Sequence, residues 1–339
     1  MRRLQLHRVS IALTAVTALV APIHPATAAA APVEAAAPVE PAVVQIDTKI
    51  DYQNAVGMGT GIVLSPGGEV LTNYHVVQGA DTITAHNVGT GRNFPVELIG
   101  YDRGHDIALV QLQGAGGLPT APLGNSDQVT VGEPVVAIGN AGGLGSPPTR
   151  ESGNVTNLNR TIDAKDALTG ASDELTGLIE VAANVRAGDS GGPLVNDAGQ
   201  VIGVTTAATV NYRFAPGGEG FAIPINQALG IANQIRSRVP SDSVHIGPPT
   251  LLGVGVAASE QIEGAQGVVI REALRGGPAE QAGLIAGDVL TSIDGTPLDS
   301  ATALTYVLDR HYPGDVVDLT WIDAAGQQRV GKATLTAGP

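Results

Sequence analysis

The sequence contains no cysteine, which removes three kinds of chemistry at once. No disulfide braces the fold, no thiolate serves as nucleophile, and no thiolate metal site forms. Stability must come from an apolar core, which a chain of 339 residues can build across two domains. Basic residues are also in deficit: 18 Lys and Arg against 32 Asp and Glu leave a formal charge of −14. Nucleic-acid binding needs a concentrated basic surface, so that class of partner is set aside. Long apolar runs are confined to the N-terminus. Val9 to Ala21 is short for a bilayer span, follows Arg2, Arg3 and Arg8, and precedes Ala26-Thr27-Ala28, an A-x-A cleavage signal. These features predict a signal peptide over residues 1–28 and a secreted product, extracellular or in the cell envelope, with no membrane contact after cleavage. An anchor left uncleaved is the alternative. Sustained helical periodicity is rare, whereas 45 glycines and 22 prolines punctuate the chain. Many short strands joined by turns are therefore expected, in a mostly β sandwich or barrel.

Residues 29–41 are rich in Ala, Pro, Val and Glu without a periodic apolar face, and are expected to form a flexible or polyproline-like leader. Strand character begins at Val43-Val44-Gln45-Ile46. Gly61 to Leu64 and Val70-Leu71-Thr72, joined by Ser65-Pro66-Gly67-Gly68, predict a hairpin that delivers His75. Apolar runs recur at Val96–Ile99, Ile107–Leu112, Glu133–Ile138, Leu178–Ala182, Gly192–Val195 and Val201–Thr205. Asn226 is placed to cap a helix with Leu229, Ala232 and Ile235 on its apolar face. That helix closes a first domain, residues 42–236. Pro240, Pro248 and Pro249 mark 237–250 as a linker, and the texture changes from Leu251 into a second domain, 251–337. There Asp299 or Ser300 can cap a helix carrying Leu304, Val307 and Leu308, ended by Pro313-Gly314.

One stretch carries chemistry: Arg186-Ala187-Gly188-Asp189-Ser190-Gly191-Gly192-Pro193-Leu194. A serine hydroxyl is a poor nucleophile until a base and oxyanion donors are placed beside it. Glycines on both sides of Ser190 permit that placement, and the amides of Gly188 and Ser190 can then converge as an oxyanion hole. The plain alternative is a Gly-rich turn. Upstream, Leu71-Thr72-Asn73-Tyr74-His75-Val76-Val77 offers a base, and His105-Asp106-Ile107-Ala108-Leu109-Val110 an acid at the mouth of a strand. The order His75, Asp106, Ser190 is that of the chymotrypsin-type triad. Among the seven histidines, His105 is the nearest rival to His75 and reads as a surface residue. Asp102 is the rival acid, with a turn context that favours a structural role.

Thr72 to Val77, His105 to Val110, Arg186 to Val195 and Gly220-Phe221-Ala222-Ile223-Pro224-Ile225 together resemble the HtrA (Deg) family of bacterial trypsin-like serine proteases. Gly277 to Leu284, Gly287-Asp288-Val289-Leu290 and Ile293-Asp294-Gly295 resemble that family's PDZ domain. The resemblance implies a two-barrel chymotrypsin/trypsin-like protease domain with the triad between the barrels. An α+β PDZ domain, a partly open β-barrel with two helices, follows. It also implies a cofactor-free serine endopeptidase acting on unfolded or C-terminally exposed polypeptides. Within it, Asn184 and Val185 line the specificity pocket, and Thr205, Thr206 and Ala207 belong to the strand that pairs with substrate. No Asp stands where one would select Lys or Arg, so small to medium apolar residues are the expected preference. In the second domain, the amides around Leu252-Gly253-Val254 would form a nest for a peptide carboxylate.

Two departures stand out. Many HtrA proteases carry Asn before the nucleophile, where this chain has Asp189. In chymotrypsin-like enzymes that Asp pairs with a freed N-terminus, to which the present leader is unsuited. Asp189 must therefore find another donor inside the fold, because an unpaired buried carboxylate is costly. The segment Asp51 to Gly57 is short where some relatives insert an oligomer-building loop, which argues against cage assemblies and leaves a monomer or homotrimer. The acidic run Asp163-Ala164-Lys165-Asp166, with Asp173-Glu174, matches no calcium-loop spacing and is expected to be a solvated loop without metal. A protease fold kept as a silent chaperone or peptide-binding protein is the rival function. An esterase is opposed by the β-rich context and the triad order.

Overall fold

The computed structural model describes residues 33–51, 54–143, 145–165, 172–206, 218–256 and 267–338. The first barrel holds β1 (Val43–Ile50), β2 (Ala55–Val63), β3 (Glu69–Thr72), α1 (Tyr74–Val77), β4 (Thr82–Asn87), β5 (Asn93–Asp102) and β6 (Ile107–Leu112). The strand order is β5-β4-β1-β2-β3-β6, and β6 returns to pair with β5, from Val96 opposite Leu112 to Asp102 opposite Ile107. That last pairing closes the barrel and leaves no free edge. The second barrel holds β7 (Pro134–Gly139), β8 (Thr149–Lys165), β9 (Ser172–Val181), β10 (Pro193–Asn196), β11 (Val201–Thr206) and β12 (Gly220–Pro224), closed in the order β10-β11-β12-β9-β8-β7.

The predicted apolar runs lie inside β5, β6, β7, β9, β10 and β11 to within one residue at their ends. Val135 to Ile138 and Val201 to Thr205 are buried throughout, and a run buried on both faces gives a continuous apolar stretch instead of alternation. The long polar β8 had no such signature. α2 (Ile225–Arg236) packs across both barrels, burying Ile225, Ala228, Ile231, Ala232 and Ile235. Its N-cap is Pro224; Asn226, expected as the cap, lies inside the first turn and bonds Asn125 and Ser126 instead.

The segments read as a leader and a linker are both packed. Residues 33–42 form two short 3-10 turns that bury Ala35, Ala36, Val39 and Ala42, so the leader is an ordered part of the protease domain from Val33 onward. Small apolar side chains need no periodic stripe to pack against an existing barrel, which is why periodicity missed them. The linker contains β13 (Val244–Ile246), added to β5 with Val244 opposite Asp102, and Val244 and His245 are buried.

The second domain comprises β14 (Thr250–Leu251), β15 (Val254–Val256), β16 (Val268–Ala273), α3 (Pro278–Ala282), β17 (Val289–Ile293), β18 (Thr296–Pro297), α4 (Ala301–Leu308), β19 (Val316–Ile322), β20 (Gln328–Thr334) and β21 (Thr336–Ala337). Of the two candidate caps for α4, Ser300 does it, its Oγ accepting from Ala303 N at 3.1 Å. Leu304 and Val307 join the core with Leu252, Leu290, Leu319 and Trp321. Among the described residues, no helix is long and apolar enough to cross a membrane.

Candidate active site

The β2–β3 hairpin ends at Asn73, and α1 then carries His75 at the barrel rim. The loop from β5 to β6 carries Asp106, which takes a positive φ of 53°, a conformation that Asp tolerates better than most residues. Several bonds tie the two loops. Asn73 Nδ2 donates to Asp106 O at 2.9 Å, and His75 N donates to Asp106 Oδ1 at 3.0 Å. His75 Nδ1 lies 2.8 Å from Oδ2 and 3.0 Å from Oδ1. An ionised carboxylate only accepts, so the ring proton sits on Nδ1 and the Nε2 lone pair is left for a proton in flight. Thr206 Oγ1, from β11 of the other barrel, donates to Asp106 Oδ2 at 3.1 Å. Thr206, expected in the substrate strand, thus also braces the acid.

Asp102 instead pairs with His105, whose Nδ1 is 2.9 Å from Asp102 Oδ2 and whose backbone N donates to Oδ1 at 3.1 Å. That hydrogen bond raises the His105 pKa, against the opposing effect of burial. Asp102 therefore holds a turn, and Asp106 is the acid that meets His75.

Ser190 sits on the turn entering β10, itself buried. Gly188 takes φ +97°, which a side chain would disfavour. Its carbonyl accepts from Thr60 Oγ1 at 2.7 Å, and Thr60 N donates to Ser190 O at 2.8 Å. β2 of the first barrel therefore grips the nucleophile turn of the second. Gly191 also takes a positive φ, of 83°. A Cβ there would lie 2.1 Å from Thr60 O, so its bareness serves the approach of the two barrels. Asp189 is buried and accepts from Thr149 Oγ1 at 2.6 Å, Arg186 N at 2.9 Å and Ala141 N at 3.1 Å. The expected internal donors are thus a hydroxyl and two amides.

Of the predicted pocket residues, Asn184 is exposed near the nucleophile turn, while Val185 is buried in the second barrel's core. Thr205 is buried and pairs through backbone with Gly191 and Gly192; Ala207 lies outside the described residues. In the second domain, Leu252 is buried and its carbonyl accepts from Ala279 N at 2.9 Å. Gly253 takes φ +78°, and Val254 begins β15. Of the acidic run, Asp163 and Ala164 pair with Glu174 and Asp173 across β8 and β9, while 166–171 lie outside the described residues.

Sequence reading missed Thr60, Thr149 and the junction between domains. All four tyrosines among the described residues, Tyr74, Tyr101, Tyr306 and Tyr312, lie at that junction. Tyr74 stacks on Tyr101 with ring centroids 4.1 Å apart, Tyr101 on His245 at 5.1 Å, and His245 on Tyr312 at 4.6 Å. Asp309, at the end of α4, accepts from Tyr101 OH at 2.6 Å and from Arg103 Nε at 2.6 Å. Arg103 Nη2 also donates to Tyr74 OH at 3.1 Å, one residue from His75. Tyr306 OH donates to Asp173 Oδ1 on β9 at 3.0 Å. The scarcity of tyrosine was the one available signal.

Comparison with known proteins agrees with the fold. A family model described as a trypsin-like peptidase domain matches residues 59–204, and one described as a PDZ domain matches residues 243–322. The serine protease PepD of Mycobacterium tuberculosis is 35% identical over 89% of this chain and 65% of its own length. The periplasmic pH-dependent serine endoprotease DegQ of Escherichia coli is 35% identical over 78% of this chain and 56% of its own length. The chain thus spans less than two thirds of the length of these relatives. Among solved structures, the HtrA-type protease AlgW with a tripeptide superposes with a TM-score of 0.51 at 28% identity, over 91% of this chain and 97% of that one.

Proposed function

This chain belongs to the HtrA family of trypsin-like serine proteases, and on that premise we propose that it is an endopeptidase working through His75, Asp106 and Ser190. One observation carries the reading. His75 Nδ1 is locked on Asp106 while Thr60 and Thr206 join the loops of the two barrels at the same place. Ser190 Oγ attacks the scissile carbonyl carbon as its proton passes to His75 Nε2. The amides of Gly188 and Ser190 receive the oxyanion. Collapse breaks the C–N bond, His75 returns the proton to the leaving amine, and an acyl-enzyme remains. Water repeats the sequence and frees the acid. Asp106 stabilises the imidazolium and keeps its proton on Nδ1 throughout.

The substrates are unfolded or C-terminally exposed polypeptides, cut beside small to medium apolar residues, with no metal or cofactor. The peptide's C-terminus adds as a strand beside β15, its carboxylate at the Leu252-Gly253-Val254 turn. The protein acts outside the cytoplasm after loss of its signal peptide, consistent with the periplasmic description of relatives such as DegQ, as a monomer or a homotrimer.

A fluorophosphonate probe tests the chemistry. The wild type is expected to label rapidly and Ser190→Ala not at all, with the thermal melt unchanged. Equal, slow labelling of both would identify a silent binding protein. Faster cleavage of free-acid than of amidated long substrates is the corresponding result for the C-terminal groove.

A further inference from the structure

Three consecutive residues at the start of β8 grip two other parts of the molecule. Thr149 Oγ1 donates to Asp189 Oδ1 at 2.6 Å. Arg150 holds Glu40 through two hydrogen bonds, Nε to Oε1 and Nη2 to Oε2, the second at 2.6 Å. Glu151 Oε1 accepts from Arg186 Nη2 at 2.5 Å. Neighbouring strand residues point to opposite faces. Thr149 and Glu151 accordingly reach the nucleophile turn, while Arg150 reaches the segment that precedes β1.

That segment is anchored by its own packing. Val39 and Ala36 are fully buried, Ala42 nearly so, and the first 3-10 turn lies against β7, β8 and β10. An ion pair as exposed as Arg150 with Glu40 contributes little by itself. Between two independently anchored elements it sets geometry instead. Asp189 has reason to need that geometry. It is buried, and its bonded partners are a hydroxyl and two amides. A side-chain hydroxyl holds a carboxylate only while its strand keeps the distance short.

We propose that Val33–Ala42 is an activating strap. It ties the entrance of β8 through Glu40 and Arg150, keeps Thr149 on Asp189, and so steadies the turn that presents the amides of Gly188 and Ser190. Thr149 is a positioning residue, and Glu40 acts through it. The proposal rests on the reading of those amides as the oxyanion site. A cut near Ala42 then switches the protein off, the reverse of activation by a freed N-terminus.

The full-length chain tests this on a short chromogenic peptide, with Ser190→Ala as the blank and thermal melting as the check on folding. Thr149→Val should lower kcat by about 10- to 100-fold with KM within about twofold, because an interaction felt mainly in the transition state is lost. Thr149→Ser should restore most of that loss. Glu40→Gln should lower kcat by about threefold. Glu40→Gln combined with Thr149→Val should be no slower than Thr149→Val alone, since residues acting in series do not add. An unchanged kcat in Thr149→Val overturns the role of Thr149, and effects that multiply in the double variant overturn the strap. A wild type no faster than Ser190→Ala would instead sink the peptidase reading itself, and the strap with it.

Discussion

Two histidine–aspartate pairs meet at the connection between β5 and β6, and their dimensions are nearly the same. His75 Nδ1 is 2.8 Å from Asp106, and His105 Nδ1 is 2.9 Å from Asp102. The rings are 39% and 41% exposed, so neither distance nor access separates them. Their origins do. The His105 pair is local, formed three residues apart inside one turn. The His75 pair joins two loops, and Thr206 of the second barrel secures its acid. A short contact between an imidazole and a carboxylate is thus no mark of catalysis. What distinguishes the His75 pair is its place at the meeting of two barrels, opposite the turn that bears Ser190.

Exchanging the acids is the sharpest way to break this comparison. Asp106→Asn is expected to lower kcat/KM on a short peptide by about 10⁴-fold through a wrongly held tautomer, while Asp102→Asn stays within a few-fold of wild type. A loss of similar size in both variants would erase the distinction.

Arg103 lies between Asp102 and His105 in sequence, and its side chain is 8% exposed against Asp309 of the second domain. Asp309→Ala leaves that buried cation without its carboxylate, at a cost of about 3–5 kcal/mol in chemical denaturation. A chain truncated before Leu251 also leaves Tyr101 and Arg103 without Asp309. Thr206→Val should cost less, about tenfold in kcat, by removing one hydrogen bond to a charged acceptor.

The smallest effect concerns His105. Asp102 raises the pKa of this ring above its ordinary 6.5. A raised histidine pKa means that the folded state binds the proton more tightly than the unfolded one. The pair's contribution is therefore complete below about pH 6.5 and disappears as pH climbs through the folded value. Melting curves of the wild type and His105→Gln should differ slightly below that window and converge above it. A difference that grows with pH would reverse the sign and contradict the assignment.

Much of the chemistry was legible because it is local. The positive φ of Gly188, the cap supplied by Ser300 and the apolar runs of β6, β7 and β11 each follow from a few neighbouring residues. Local conformational preference and solvent aversion act over such spans. The order His75, Asp106, Ser190 is likewise a property of the sequence, and so is the expectation that Asp189 needs an internal donor. The identity of its hydroxyl donor was settled at a distance. Thr149 is 40 residues from Asp189, Thr60 is 128 from Gly188, Arg150 is 110 from Glu40, and Tyr101 is 208 from Asp309. No local preference of a threonine or an arginine encodes such a partner. Closing two barrels and docking a third unit on them brought these groups together, and burial then required each polar atom to find a mate.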